Sequence, residues 1–117
     1  MKIYIASHDR ELAEAIAKTL HGHEIVSRWH STESRPCGEW AIKDLEDVDA
    51  CDVLVSLASF ENVPGGKHVE LGYALGIGKK VIHWCRIENI FHYHPAVIRA
   101  DKICEIQAAL DSLESPK

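Results

Sequence analysis

The chain of 117 residues has no apolar run approaching the roughly 18 residues of a membrane-crossing helix, and its longest apolar stretches are strand-sized. Its opening, MKIYIASHDR, lacks the extended apolar region of a secretory leader. A cytoplasmic protein without a membrane partner is therefore expected. It also lacks a dense Lys/Arg block: 13 basic residues stand against 18 acidic ones, a formal net charge of −5. Binding nucleic acid through many phosphate contacts is thereby disfavoured, whereas a small anionic ligand remains compatible. The four cysteines, Cys37, Cys51, Cys85 and Cys104, form no C-x-x-C pair and no zinc-like spacing. Reduced thiols are expected. Histidine is abundant, with eight residues, and His92-x-His94 offers half of a metal site. No Cys or carboxylate ligand at helical spacing stands nearby to complete it, so neither a metal nor a cofactor is expected.

With 46% hydrophobic and 26% charged residues, the composition is that of an ordinary soluble domain, and the length suits one core. No repeat, low-complexity tract or linker interrupts it, so residues 1–117 are expected to form a single domain. Short β-rich runs alternate with helical periods: strands at 2–7, 23–29, 51–58, 80–85 and 97–99, and helices at 10–22, 39–50, 67–78 and 101–113. Polar loops fall at 30–38 and 59–66, and the segment RIENIFHYHPAV has weak periodicity and reads mostly as loop. This alternation predicts an α/β sandwich, a parallel sheet of about five strands in flavodoxin-like order. Ligands of such sheets sit beyond the carboxyl ends of the strands, where the strand order switches.

Two acids break the apolar pattern of their helices. In GGKHVELGYALGIGKKVI, projection at ~100° per residue puts Glu70 among Val69, Tyr73, Ala74 and Ile77, with only Gly72 and Gly76 opposite. The helix therefore reads as buried nearly all round, with Glu70 in its first turn near the N–H groups of Gly65 and Gly66. The preceding helix has Ala41, Leu45 and Val48 as its inward stripe; Asp44 lies on the margin of that stripe, and Glu46 and Asp47 turn outward. Each acid reads equally as a buried carboxylate tied to a Lys, Arg or backbone donor, or as a reactive group. Asp52 opens the central strand, where a carboxylate often caps an element. Glycines ahead of a helix can bring backbone N–H groups to a phosphate or carboxylate, or simply permit a tight turn.

GGKHVELGYALGIGKKVI, the upstream DLEDVDACDVLV and the opening KIYIAS together resemble the nucleoside 2-deoxyribosyltransferase family and its relatives that hydrolyse 2′-deoxynucleoside 5′-monophosphates. The similarity covers most of the chain. It implies a flavodoxin-like domain that cleaves an N-glycosidic bond, with Glu70 as nucleophile. Asp44, eight residues before Asp52, would hold sugar hydroxyls and assist the leaving base, and Tyr4 would steady the nucleophile. Pro64 stands where many transferases of the family carry an aspartate; Glu61 is the nearby alternative. Ser7, His8, Arg10 and Ser59 are candidates around a 5′-phosphate, and Asp52, Gly65, Gly66 and His68 complete the candidate substrate contacts. Trp29, Trp40 and Phe60 read either as core or as stacking platforms for a base, and ENIFHYHP either as lining of the site or as a subunit contact. The implied activity is transfer of deoxyribose between bases, with hydrolysis of (deoxy)nucleoside 5′-monophosphates as the alternative and a non-catalytic nucleotide-binding module as the third reading. A small-molecule nucleoside or nucleotide is the expected partner, together with assembly into a homodimer or higher homo-oligomer.

Overall fold

A computed structural model describes residues 1–32, 37–59 and 65–114. Its strands are β1 (Lys2–Ala6), β2 (Glu24–Ile25), β3 (Val53–Leu57), β4 (Lys80–Trp84) and β5 (Val97–Ala100). They form one parallel five-stranded sheet in the order β2-β1-β3-β4-β5. The helices are α1 (Arg10–Thr19), α2 (Gly38–Ala50), α3 (Gly66–Gly76) and α4 (Ile103–Glu114). This is the α/β, flavodoxin-like arrangement expected from the sequence.

Alternation along each strand sorts the side chains onto two faces. Ile3, Ile5, Val53, Val55, Leu57 and Ile82 meet Ala13 and Ile16 of α1 and Ile106 and Leu110 of α4. Tyr4, Ala6, Leu54 and Val81 meet Val48 of α2 and Leu71 and Ala74 of α3. Both faces of β3 are thus covered, which is why its sequence reads as an unbroken apolar run. Asp9 caps α1 by accepting the Leu12 N–H at 3.1 Å. Gly78, at φ +81°, turns the chain out of α3 in a left-handed conformation that a side chain would strain. All four cysteines are free thiols, and burial pushes the Cys51 thiol up to about 11. Among the described residues no helix is long and apolar enough to cross a membrane.

Several expectations need correction. The strand expected over 23–29 is regular only at Glu24–Ile25. Beyond it, side chains replace the ladder: Ser27 Oγ accepts the Ile5 N–H at 3.1 Å and the Trp29 indole donates to Ile5 O at 2.7 Å. Ser27 also pairs with His30, whose other ring nitrogen meets Glu14. That Ser–His–Glu chain looks like a hydrolytic triad, but its hydroxyl is buried and occupied by a strand amide, so it braces the sheet edge. In α2, Asp47 is 6% exposed and does not turn outward, because the Arg28 guanidinium lies against its carboxylate at 2.9–3.0 Å, whereas Ala41, expected inward, is exposed. The segment after β4, read as loop, contains a 3-10 turn over Ile90–Tyr93, started by Asn89 Oδ1 accepting the Phe91 N–H at 2.9 Å.

Candidate active site

In this strand order the connections leave in opposite directions from β1 and β3, opening a crevice at their carboxyl ends. Tyr4, Leu54 and Val81 form one cross-strand row on the face covered by α2 and α3; Ala6, Ser56 and His83 form the next row toward the crevice. Ala6 and Ser56 are short, which lowers the sheet surface beyond Tyr4. Over this surface α3 brings Glu70, and the buried Tyr4 hydroxyl donates a hydrogen bond to Glu70 Oε2. Of the residues singled out from the sequence, these two are joined directly.

The surroundings of Glu70 differ from expectation in two ways. Helix α3 begins at Gly66, one residue earlier than expected, so Glu70 lies at the start of the second turn, where the favourable field of the helix end is weaker. The helix is also not buried all round, for Val69 is 65% and Ile77 42% exposed. Glu70 nevertheless points inward, and burial pushes its carboxyl up to about 8. The Tyr4 hydroxyl works the other way, since a donor favours the ionised form. Among the described residues Tyr4 is its only hydrogen-bond partner, and no cation pairs with it. Burial thus favours the protonated carboxyl of Glu70 more than the end of α3 favours its ionised form.

Asp44 shares this character, and among the described residues no hydrogen bond joins it to Glu70. Its Oδ1 is buried with no hydrogen-bond partner. Burial, and then the Asp47 charge, raise its pKa, while the Arg28 charge opposes them. Arg28 is spent on Asp47, and among the described residues Asp44 has no direct counter-ion.

The other prominent feature of this rim was not legible as a site in the sequence. Lys67, one turn before Glu70, is 3% exposed, and its ammonium donates to Leu57 O at 3.1 Å, Ser59 Oγ at 3.0 Å and Glu88 Oε1 and Oε2 at 2.7 and 2.8 Å. Glu88 also accepts the Ser59 N–H at 3.2 Å, and Arg86 Nε donates to Ser59 O at 2.8 Å. Burial alone would raise Glu88, but the Lys67 hydrogen bond, the Ser59 N–H and the Lys67 charge outweigh it and hold the carboxylate below its ordinary range. Ser59, a candidate phosphate contact, is consumed: its amide, hydroxyl and carbonyl are all engaged within the protein.

His68, Glu88 and His92 are the one group of metal-type ligands that converge among the described residues, each offering an atom within 4.8 Å of the others. They do not fit a divalent ion. A metal-binding imidazole gives its other ring N–H to an acceptor. Here the other nitrogen faces a donor instead: the Glu88 N–H approaches His92 Nδ1 at 3.0 Å and the Asn89 amide nitrogen approaches His68 Nδ1 at 3.0 Å. The Asn89 oxygen is occupied by the Phe91 N–H, which fixes that amide's orientation. Both protons therefore sit on Nε2, where a metal would need a lone pair, and Lys67 already covers Glu88. Burial, then the neighbouring His83, push His92 down to about 4, and burial, then Lys67, lower His68, so both rings are neutral. His92 stacks on His83 at 3.6 Å and its buried Nε2 has no partner.

The remaining candidates divide by rim. Ser7 lies at the carboxyl end of β1, but its hydroxyl accepts the Asp9 N–H at 3.0 Å in the turn entering α1. Gly65 and Gly66 lie exposed at the start of α3; neither adopts a positive φ, and a Cβ on either would meet nothing within 4 Å. His68 is half-buried against Asn89. Asp52 is on the opposite rim, before β3, where its carboxylate accepts the Lys2 N–H at 2.8 Å. It is therefore removed from the crevice, and its role there is to extend the β1–β3 ladder. His8 is exposed, while Arg10 donates to Thr32 O. Trp29 packs into the core and Trp40 lies 4.8 Å beneath the Lys43 ammonium. Phe60, Glu61 and Pro64 lie outside the described residues.

The fold recurs in solved structures. A CMP N-glycosidase of Clostridium botulinum, BcmB, superposes with a TM-score of 0.67 at 19% identity, over 96% of this chain and 99% of that one. A 2-deoxyribosyltransferase of the psychrotolerant bacterium Bacillus psychrosaccharolyticus superposes with a TM-score of 0.69 at 21% identity, over 92% of this chain and 90% of that one. At these identities the likeness is one of fold. No protein-family model matches the chain, and no curated protein matches its sequence.

Proposed function

We propose that this protein cleaves the N-glycosidic bond of 2′-deoxynucleosides, with Glu70 as nucleophile, and passes the sugar to a second base. The observation that carries the reading is the inward carboxyl of Glu70, bonded to Tyr4 and, among the described residues, unpaired with any cation. A structural acid in such a place would carry its own counter-ion. Cleavage passes through an oxocarbenium-like transition state, as in retaining glycosidases. Glu70 attacks C1′ from the face opposite the base, the C1′–N electron pair leaves with the base, and a deoxyribosyl ester forms on the carboxylate. A second base, or water, then attacks C1′ and releases Glu70 with overall retention. The departing base needs a proton; Asp44, its pKa raised by burial, supports a role in supplying it while its other oxygen holds a sugar hydroxyl. A carboxylate that burial destabilises is ionised most favourably when positive charge develops beside it at C1′.

Hydrolysis of a (deoxy)nucleoside 5′-monophosphate is the second reading. It is favoured by the near end-to-end superposition on the CMP N-glycosidase and by the open space over Gly65 and Gly66 at the start of α3, where N–H groups suit a phosphate. Incubating deoxycytidine, and separately its 5′-monophosphate, with and without free adenine tests both. Deoxyadenosine as product indicates transfer; free deoxyribose or its 5-phosphate indicates hydrolysis. Loss of either product in a folded Glu70→Ala variant assigns the nucleophile. Wild-type protein that binds these compounds and cleaves none of them refutes both readings and leaves a nucleotide-binding module.

A further inference from the structure

We infer that the Lys67–Glu88 ion pair is a positioning device for Glu70, tying together the two ends of the β3–α3 connection and fixing the first turn of α3 on the sheet. The inference rests on the reading of Glu70 as the reactive group. Ser59 precedes the 60–64 segment and Lys67 follows it. The Lys67 ammonium reaches back to Leu57 O and Ser59 Oγ, and the same ammonium is held by Glu88, which itself grips the Ser59 amide. Arg86 takes the remaining Ser59 oxygen. The connection leaving β4 therefore clasps the connection leaving β3 at both of its ends.

The clasp extends along α3. Asn89 holds His68 in the next position of the helix, and the Glu88 amide is itself seated on His92, which stacks on His83 of β4. At the far end of the helix, the Tyr73 hydroxyl donates to Asp49 at 2.7 Å and Lys79 Nζ donates to Asp49 O at 3.0 Å. Between these anchors, Glu70 is held on the same helix face as Lys67, one turn on, and meets Tyr4. Residues three apart on a helix are neighbours, so rotation or sliding of the first turn carries Glu70 with it. The ion pair lies almost wholly inside the protein, with side chains 1% and 10% exposed. Pairs so buried add little net stability compared with apolar residues of similar volume, so specificity of placement is the better account of this one.

The test uses the Lys67→Met/Glu88→Gln double variant of the full chain, which removes both charges together and so avoids leaving one buried alone. Three measurements are compared with wild type: the thermal midpoint, kcat and KM on the substrate found for the wild type, and the isotope-edited infrared band of the Glu70 carboxyl group without substrate. The expected result is a folded protein with KM within a few-fold, kcat lower by on the order of a hundredfold, and a Glu70 band moved toward that of Tyr4→Phe. A folded double variant with wild-type kcat and an unmoved band overturns the inference. Should the double variant not fold, Ser59→Ala, which deletes only the hydroxyl Lys67 reaches, takes its place. It is expected to lower kcat roughly five-fold and move the band the same way, and an unchanged kcat and band overturn the inference equally. If wild-type protein cleaves no nucleoside or nucleotide, the proposed function falls, while the infrared band alone still decides whether the pair places Glu70.

Discussion

Glu70 and Glu88 lie on neighbouring segments of the same rim, both drawn away from water, and the protein treats them in opposite ways. Glu88 is given Lys67 and the Ser59 amide, and its carboxylate is held below the ordinary range. Among the described residues Glu70 is given one tyrosine hydroxyl and no cation, and burial carries it to about 8. A buried acid whose task is to hold the chain in place is neutralised at once, because an uncompensated charge costs several kcal/mol. Leaving that compensation out makes sense where the charge is needed only transiently, against positive charge that a substrate brings. Burial alone does not distinguish the two acids; among the described residues a cation partner does, and the proposed function rests on that difference.

The strongest way to break the comparison is Glu70→Gln. Cleavage is expected to fall by on the order of 10⁴-fold or more, measured as product release under single-turnover conditions. Stability should move the other way. Because the folded pKa of Glu70 is raised, the wild type loses stability as pH climbs from the ordinary value of 4.5 through about 8. Glu70→Gln should therefore match wild type near pH 4 and exceed it by a few kcal/mol above pH 8, read from urea midpoints. Activity of the wild type should rise with pH through an apparent pKa near 8 in kcat/KM.

Glu88→Gln should give the mirror image. Lys67 is left charged and buried without its partner, so the variant is expected to be less stable by about 3 kcal/mol at neutral pH. Since the folded pKa of Glu88 is lowered, the wild-type advantage is present above 4.5 and disappears as pH falls through the lowered value. Equal urea midpoints for wild type and variant at pH 7 would remove the contrast between the two glutamates. Tyr4→Phe sharpens it with a smaller effect. Losing this donor to the ionised form should move the acid limb of kcat/KM to higher pH and lower kcat at pH 7 roughly tenfold to a hundredfold, with the fold unchanged by circular dichroism.

The sequence pattern made the layers legible because strand and helix periods survive in a two-sided sheet. Glu70 was isolated for the same reason, as an acid among apolar residues, whereas Tyr4 was placed in the first strand by the pattern and marked as a candidate only by the family resemblance. The clasp was not legible, since Lys67 figured only as the first residue of the expected helix and Glu88 as part of a loop; nothing in their spacing tells that the two connections meet. Alternation did hold a missed signal. In CDVLVSLA, Ser56 shares a face with Leu54, and in KVIHWC, His83 shares one with Val81, so polar residues on the α2–α3 face nearest the crevice could have been read off. Asp47 was misplaced because helical projection counts charge as solvent-facing, and the projection has no term for an arginine arriving from another segment.

Asp52 supplies the smallest effect and the most exacting control, because its spacing from Asp44 belongs to the same pattern that pointed to Glu70. Position on the sheet separates them. All strands run parallel, so residues before a strand gather on one rim and residues after it on the other, and Asp52 precedes β3. Its carboxylate accepts the Lys2 N–H while its own N–H donates to Lys2 O at 2.7 Å, extending the ladder by one step in contact with water. An exposed hydrogen bond of this kind contributes about 1 kcal/mol or less. Asp52→Ala is accordingly expected to lower the urea midpoint slightly and to leave kcat and KM within twofold of wild type. A hundredfold loss of kcat at unchanged stability would mean that the opposite rim takes part in the chemistry, and the contrast between a compensated and an uncompensated glutamate at the carboxyl rim would no longer locate the site.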